Sequence, residues 1–305
     1  MDSLNPEDIK IWLASMRLRT LPLSVSGIIV GASLAYYNGF FKWNVFLLAL
    51  GTAIGLQILS NLANDYGDGV KGTDNEDRIG PERAIQSGKI TPTQMYQAIK
   101  VNIIIVIFLA FLTIYNAFGL NNFIYSIVFF VLGGLSISAA LRYTVGESAY
   151  GYRGFGDLFV FIFFGLVSVM GTYFLFTKTI DHVVYLPAIT IGLLSVAVLN
   201  LNNMRDIESD KKAKKITLAV KMGKKGSKIY HVFLILTAMI LSFLFGLLYY
   251  NSPYNLVFVL AFLPLIFHIY KVTANREPKL LDAQLKVLAI STFLFSILLA
   301  VGHIV

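Results

Sequence analysis

Nine stretches of this chain are each apolar for about the length a helix needs to cross a bilayer, ~20 residues. They lie near Leu21–Tyr37, Val45–Ala63, Met95–Asn116, Phe123–Leu141, Leu158–Phe176, Tyr185–Leu201, Tyr230–Tyr250, Tyr254–Tyr270 and Leu285–Val305. In hydrocarbon every backbone polar group must be satisfied within the protein, and a run of this length does so as a helix. Composition agrees: 56% of residues are hydrophobic and 14% charged, against about 25% charged in ordinary soluble domains. Mean hydropathy is +0.71. A soluble fold of this size could not hide so much apolar surface. The expected fold is therefore all-α: a polytopic membrane protein of nine transmembrane helices. Residues 1–305 are read as a single domain, with two pseudo-repeats over about 1–142 and 143–305.

Charge placement orients the spans. With the N-terminus in the cytoplasm, every lysine and arginine except Lys42 and Lys178 falls in the leader or in inner connections, as positive-inside topology requires. The net charge of +8 is explained by this sidedness, so nucleic acid is not expected as a partner. The lysine run Lys211–Lys228 reads mainly as a topological determinant that also attracts anionic lipid. Met1–Lys10 is polar and acidic, and no signal peptide is visible. The two long inner connections, Asn64–Gln94 and Asp206–Ile229, point to chemistry on the cytoplasmic face.

The chain has no cysteine, which excludes disulfides, thiolate metal sites and cysteine nucleophiles. His182, His231, His268 and His303 are widely separated, so histidine ligation of zinc or haem is not expected.

Two helix ends instead carry clustered acids. The second span runs into Asn61-Leu-Ala-Asn64-Asp65-Tyr-Gly-Asp68, and the sixth into Asn202-Asn-Met-Arg205-Asp206-Ile-Glu208-Ser-Asp210. Asn64 and Asp68 are spaced i, i+4; Asn202, Asp206 and Asp210 continue that spacing, so each set shares a helix face. Asn64/Asp68 can be laid over Asn202/Asp206, which suggests an internal repeat with a site between halves. Carboxylates at a helix C-terminus face the negative end of the dipole. A divalent cation is the simplest compensation, and oxygen-only donors select a hard ion such as Mg²⁺, which shares its shell with substrate phosphates. Lys71, Arg78, Arg83, Arg142, Arg153, Arg205 and Lys215 stand nearby in sequence. Acid clusters ringed by base suggest a metal-bridged diphosphate.

Several longer segments carry a resemblance. They are Arg17-Leu-Arg-Thr-Leu-Pro22, Asn64–Asp74, Gly80-Pro-Glu-Arg-Ala-Ile-Gln-Ser-Gly-Lys-Ile-Thr91, Gly151-Tyr-Arg-Gly-Phe-Gly-Asp157 and Asn202–Asp210 followed by Thr217-Leu-Ala-Val220. Over nearly its whole length the chain resembles the UbiA superfamily of intramembrane prenyltransferases, most closely its 1,4-dihydroxy-2-naphthoate branch. Two positions depart from the pattern. The first acidic motif often reads Asn-Asp-x-x-Asp-x-x-x-Asp, where this chain has Gly72, with Asp74 following. A Gly-Lys pair often precedes Thr-Leu-Ala-Val, where this chain has Lys214-Lys215-Ile216, so a glycine turn is expected to be missing.

The resemblance implies transfer of a polyprenyl group from polyprenyl diphosphate to 1,4-dihydroxy-2-naphthoate, with decarboxylation, giving demethylmenaquinone and diphosphate. It also implies Mg²⁺ as cofactor, membrane lipid as surroundings and a place in the cell inner membrane. Asn64, Asp68, Asp206 and Asp210 are the expected metal ligands, with Asp65 and Asn202 as second choices. Asp68, Asp206 and Asp157 are the expected catalytic groups. Lys71, Arg83, Arg142 and Tyr143 are expected to bind the diphosphate, and Arg153 is a further expected substrate-binding residue. Arg17 is expected to meet the acceptor's carboxylate and Asp157 a ring hydroxyl or its proton. Prenylation of a 4-hydroxybenzoate or homogentisate type of acceptor is the alternative. A divalent-cation transporter is more remote, because the acids cluster at one end of the spans rather than at mid-membrane.

Overall fold

The structure, a computed structural model, describes residues 6–73 and 79–305. Asp74 and Arg78, named above, lie outside the described residues. Among those described, nine helical stretches are long and apolar enough to cross a membrane. A short helix α1 (Pro6–Ser15) precedes the first span α2 (Leu21–Tyr37). The helical path is interrupted between them at Arg17, in the left-handed region with φ 50°. Then follow α3 (Trp43–Val70), α4 (Pro92–Phe118) and α5 (Phe123–Arg142). The fifth span is composite: α6 (Gly156–Val160), a π-helical stretch over Phe161–Gly171, and α7 (Thr172–Thr177). The sixth is α8 (Tyr185–Arg205), continued by the short α9 (Ile207–Lys212). The seventh is α10 (Leu218–Leu248), interrupted at Gly223. A 3-10 stretch Pro253–Ala261 and α11 (Phe262–Ala274) form the eighth, and α12 (Leu281–Ile304) the ninth.

These elements end where their sequences say they must. Thr91 opens α4 with a capping box closed by Gln94, and Pro92 fills the first turn, where no N–H partner is needed. Thr217 caps α10 by accepting from the Val220 N–H. One expectation is revised here. Most of Asp206–Ile229 is helical rather than loop, because α9 and the first turns of α10 carry the lysine run.

Lipid tails are as apolar as leucine, so spans associate by close packing rather than by exclusion from water. α8 lies at the centre, against α10, α12 and the fifth span, while α3 and α4 pack along each other. Where α8 meets the fifth span the backbones touch: a Cβ on Gly165 would stand 2.6 Å from the Gly192 Cα. A second, smaller apolar cluster of Leu59, Leu62, Ala84, Ile90, Met95 and Ile99 lies under the connection between α3 and α4. Burial of Ala84 and Ile90 there anchors the stretch that carries Arg83.

Candidate active site

The two acidic helix ends open onto one cavity of about 410 Å³. Asn64 and Asp68 of α3 line it, as do Asn202 and Asp206 at the end of α8 and Asp210 on α9. Arg17, Arg19, Arg83, Lys215, Lys286 and Tyr143 share this polar mouth. Further in, the walls are apolar, among them Phe129, Leu132, Phe163, Phe164, Val167 and Leu175. The π-helical stretch supplies much of one wall; such distortions recur at functional sites.

Both ends are finished by the same backbone device. After Asp68, the Thr73 N–H reaches back to the Asp68 carbonyl at 2.9 Å and the Gly72 N–H to Gly69 at 3.2 Å, with Gly72 at φ +70°. This is a Schellman turn, which needs a left-handed residue and so favours glycine. It accounts for glycine at position 72. After Asp210, the Lys215 N–H reaches the Asp210 carbonyl at 2.8 Å and the Lys214 N–H reaches Lys211 at 3.2 Å, with Lys214 at φ 56°. The turn expected to be missing is present, carried by a lysine in a conformation that costs a non-glycine residue about 1–2 kcal/mol. The turns align Asp68 with Asp210, one helical turn away from the match suggested by spacing alone.

The residues after the turns bring the two ends together. Lys215 is buried, with its Nζ 3.5 Å from Asp68 Oδ2 and 3.8 Å from Asp210 Oδ1. Burial disfavours its ammonium, but the Asp68 and Asp210 carboxylates outweigh that and hold its pKa above the usual lysine range. Tyr152 donates to Asp68 Oδ1 at 2.7 Å, so the Thr73 hydroxyl, 2.6 Å away, donates in turn to Tyr152. Burial, and then Asp68, push the Tyr152 phenol up, so it stays a donor. Its ring lies 4.2 Å from Lys71 Nζ and 5.4 Å from Lys215 Nζ. The Thr144 hydroxyl donates to the Ala63 carbonyl at 3.0 Å and approaches Asn64 Oδ1 at 3.3 Å. A Cβ at Gly67 would strike that same hydroxyl at 2.5 Å.

Arg205 organises the second end. It is 1% exposed. Its Nε and Nη2 donate to the two Asp206 oxygens at 2.8 and 2.6 Å, and Nη2 also to Asn202 Oδ1 at 2.9 Å. The Asp206 carboxylate, expected as a metal ligand, thus faces the cavity with both oxygens already engaged.

The structure therefore brings Asn64, Asp68, Asp206, Asp210, Arg17, Arg83, Tyr143 and the second-choice Asn202 to one cavity, and leaves Lys71, Arg142, Arg153, Asp157 and the second-choice Asp65 off its walls. Lys71 Nζ is held by the Thr144 and Gly146 carbonyls at 2.7 and 2.8 Å, so its charge supports the Tyr152 ring. Arg142 and Arg153 are exposed, because α5 and the following 3-10 turn end at the surface. Asp157 is buried and hydrogen-bonded to Tyr230 of α10, which ties the fifth span to the seventh. The spacing rules did not select Lys215, Tyr152, Thr73, Arg19 or Lys286. The sequence signals for Lys215 were its nearness to the second acid cluster and its place just before Thr217-Leu-Ala-Val220.

Among the described residues no three carboxylates or imidazoles converge on one point. That disfavours a metal cage made of protein alone. It suits Mg²⁺, which takes one or two carboxylates and completes its shell with water and substrate phosphate. Asp68 and Asp210 face a common cation, at present Lys215, with Asn64 on the same wall.

Among the described residues, an apolar chamber capped by acidic and basic side chains thus lies within a bundle of nine candidate membrane spans. The chain belongs to the UbiA prenyltransferase family, whose sequence profile matches residues 24–300. It is 42% identical over 291 residues to 1,4-dihydroxy-2-naphthoate octaprenyltransferase of Escherichia coli K12, covering 95% of this chain and 94% of that one. Against the protein of the same name from Haemophilus influenzae it is 41% identical, covering 98% and 97%. The fold is that of a UbiA homolog from Aeropyrum pernix, with a TM-score of 0.67 at 16% identity over 90% of this chain and 97% of that one. A UbiA homolog from Archaeoglobus fulgidus, solved bound to GPP and Mg²⁺, gives 0.60 at 13% identity over 94% and 100%.

Proposed function

We propose that this chain transfers a polyprenyl group from its diphosphate to 1,4-dihydroxy-2-naphthoate, giving the prenylated naphthalenediol (demethylmenaquinol, the reduced form of demethylmenaquinone), diphosphate and carbon dioxide. The observation that carries the reading is the joining of two acidic helix ends, through Lys215, at the mouth of an apolar chamber. The acceptor is supported by relatives of that name at over 40% identity across nearly the whole chain.

In the reaction the allylic C–O bond breaks and its electron pair leaves with the diphosphate. The ring carbon bearing the carboxylate forms the new C–C bond with electrons from the hydroxyl-enriched ring, and the carboxylate is lost as carbon dioxide. Asn64, Asp68 and Asp210 would hold Mg²⁺, which supplies charge neutralisation for the departing diphosphate. Lys215 and Arg83 bind the diphosphate oxygens. Tyr152 and Thr73 hold Asp68 in place, and Arg205 does the same for Asp206. Arg17 and Arg19 take the acceptor's carboxylate, and the apolar walls take the prenyl chain and exclude water. The distribution of basic residues supports a mouth facing the cytoplasm, hence the inner membrane with the N-terminus inside.

The test is mass spectrometry of products from purified protein offered octaprenyl diphosphate and, separately, dihydroxynaphthoate, 4-hydroxybenzoate and homogentisate. Prenylated, decarboxylated naphthoate is expected, with turnover requiring a divalent ion. Product from either other acceptor alone would overturn the acceptor assignment.

A further inference from the structure

The carboxylate of Asp282, in the first turn of α12, is divided between two arginines. Its Oδ1 accepts from buried Arg205 Nη1 at 2.5 Å, and its Oδ2 lies 3.6 Å from Arg19 Nη1. The pairs are unequal. Arg205 is 1% exposed, whereas the Arg19 and Asp282 side chains are 42% and 31% exposed. The Arg19 pair is therefore loose and screened, and the Arg205 pair tight. Arg205 uses its other N–H groups on Asn202 and on both oxygens of Asp206. Arg19 lines the cavity. One carboxylate thus joins an arginine at the cavity mouth to the clamp on the second acidic helix end.

We propose that Asp282 is a positioning residue that couples acceptor binding to the second acidic helix end. This rests on the reading above, in which a carboxylated aromatic acceptor meets Arg19. An acceptor carboxylate at Arg19 displaces the loosely held Asp282 oxygen and leaves Asp282 wholly to Arg205. With a stronger partner on one side, Arg205 slackens on Asp206, which becomes freer to meet the cation that accompanies the diphosphate. Acceptor and cation then promote each other's binding, and by linkage the effect is reciprocal.

The probe is 1-hydroxy-2-naphthoate, a stable acceptor analogue, in equilibrium dialysis against the purified protein with and without Mg²⁺ plus inorganic diphosphate. Wild type is expected to bind the analogue several-fold more tightly when both are present. Asp282→Asn removes Arg19's competitor, so metal-free binding tightens about threefold, and the further gain with Mg²⁺ disappears. Its Mg²⁺ half-saturation in turnover rises about fivefold, because Asp206 becomes Arg205's only carboxylate. A residue that merely held the fold would weaken all of these together. Arg19→Gln weakens analogue binding and also abolishes the gain, and adding Asp282→Asn to it changes analogue affinity no further. Unchanged coupling in Asp282→Asn, or weaker metal-free binding, overturns the proposal. If Asp282→Asn does not fold, Arg19→Gln decides: retained coupling overturns the proposal and lost coupling supports it. Failure of the wild type to prenylate dihydroxynaphthoate would instead sink the function on which the proposal rests.

Discussion

Asp68 and Asp210 occupy equivalent places in two Schellman turns, yet the residue that closes each turn differs. After Asp68 it is Thr73, whose hydroxyl joins a neutral chain through Tyr152 back to Asp68. After Asp210 it is Lys215, whose ammonium crosses to Asp68 as well as turning back to Asp210. The first end is braced by neutral hydrogen bonds and the second supplies the cation that both ends share. Equal backbone geometry thus serves unequal electrostatics, so substitutions at matching positions should have unequal consequences.

The largest effects are expected where the two ends are alike. Asp68→Asn and Asp210→Asn each remove a carboxylate from the shared cation, and each should lower kcat/KM by about 10³, the upper range for loss of one transition-state contact. Steady-state rates across a Mg²⁺ titration check this; a loss on one side only would break the equivalence. Asp206→Asn should raise the Mg²⁺ requirement less than either, because Arg205 already neutralises Asp206.

Next come the closing residues. Lys215→Met should cost about 10² in kcat/KM, whereas Thr73→Val, one bond further from the carboxylate, should cost only a few-fold. Comparable losses from the two would refute the division into cation and brace. Tyr152→Phe falls between them: losing a hydrogen bond to a charged group costs about 1.5 kcal/mol, or roughly tenfold. Its effect should nearly vanish in the Asp68→Asn background, since the phenol acts through that carboxylate.

Much of this was legible in the sequence, for identifiable reasons. Hydropathy over ~20 residues places spans because a bilayer permits almost no alternative, and i, i+4 spacing places Asn64 with Asp68 because helix geometry is fixed. Side chains whose role depends on a turn or on distant packing were not legible. Lys215 stands among the basic residues near the acids in sequence, but its contact with both Asp68 and Asp210 exists only once the chain turns at Lys214. Arg142 and Arg153 carry the right charge in the right stretch, but their helices end at the surface. The pairing of Arg205 with Asp282 exists only once α12 packs on α8. The resemblance singles out Asp157, but its hydrogen bond to Tyr230, from another span, appears only once the spans pack.

The smallest expected effect isolates the backbone difference itself. Gly72 and Lys214 both sit in the left-handed region, at φ +70° and 56°. Glycine adopts it freely, and lysine at a cost of about 1–2 kcal/mol. Gly72→Ala should therefore destabilise the protein, and Lys214→Gly should be stabilising or neutral, since part of the relief is offset by glycine's extra freedom in the unfolded chain. Thermal unfolding in detergent measures both. Both variants should keep wild-type Mg²⁺ half-saturation, because no atom that faces the cavity changes. If Lys214→Gly instead raised that requirement, the second turn would be doing more than ending a helix. Lysine at this position would then be serving to hold Lys215 in place, and the two helix ends would differ in backbone as well as in charge.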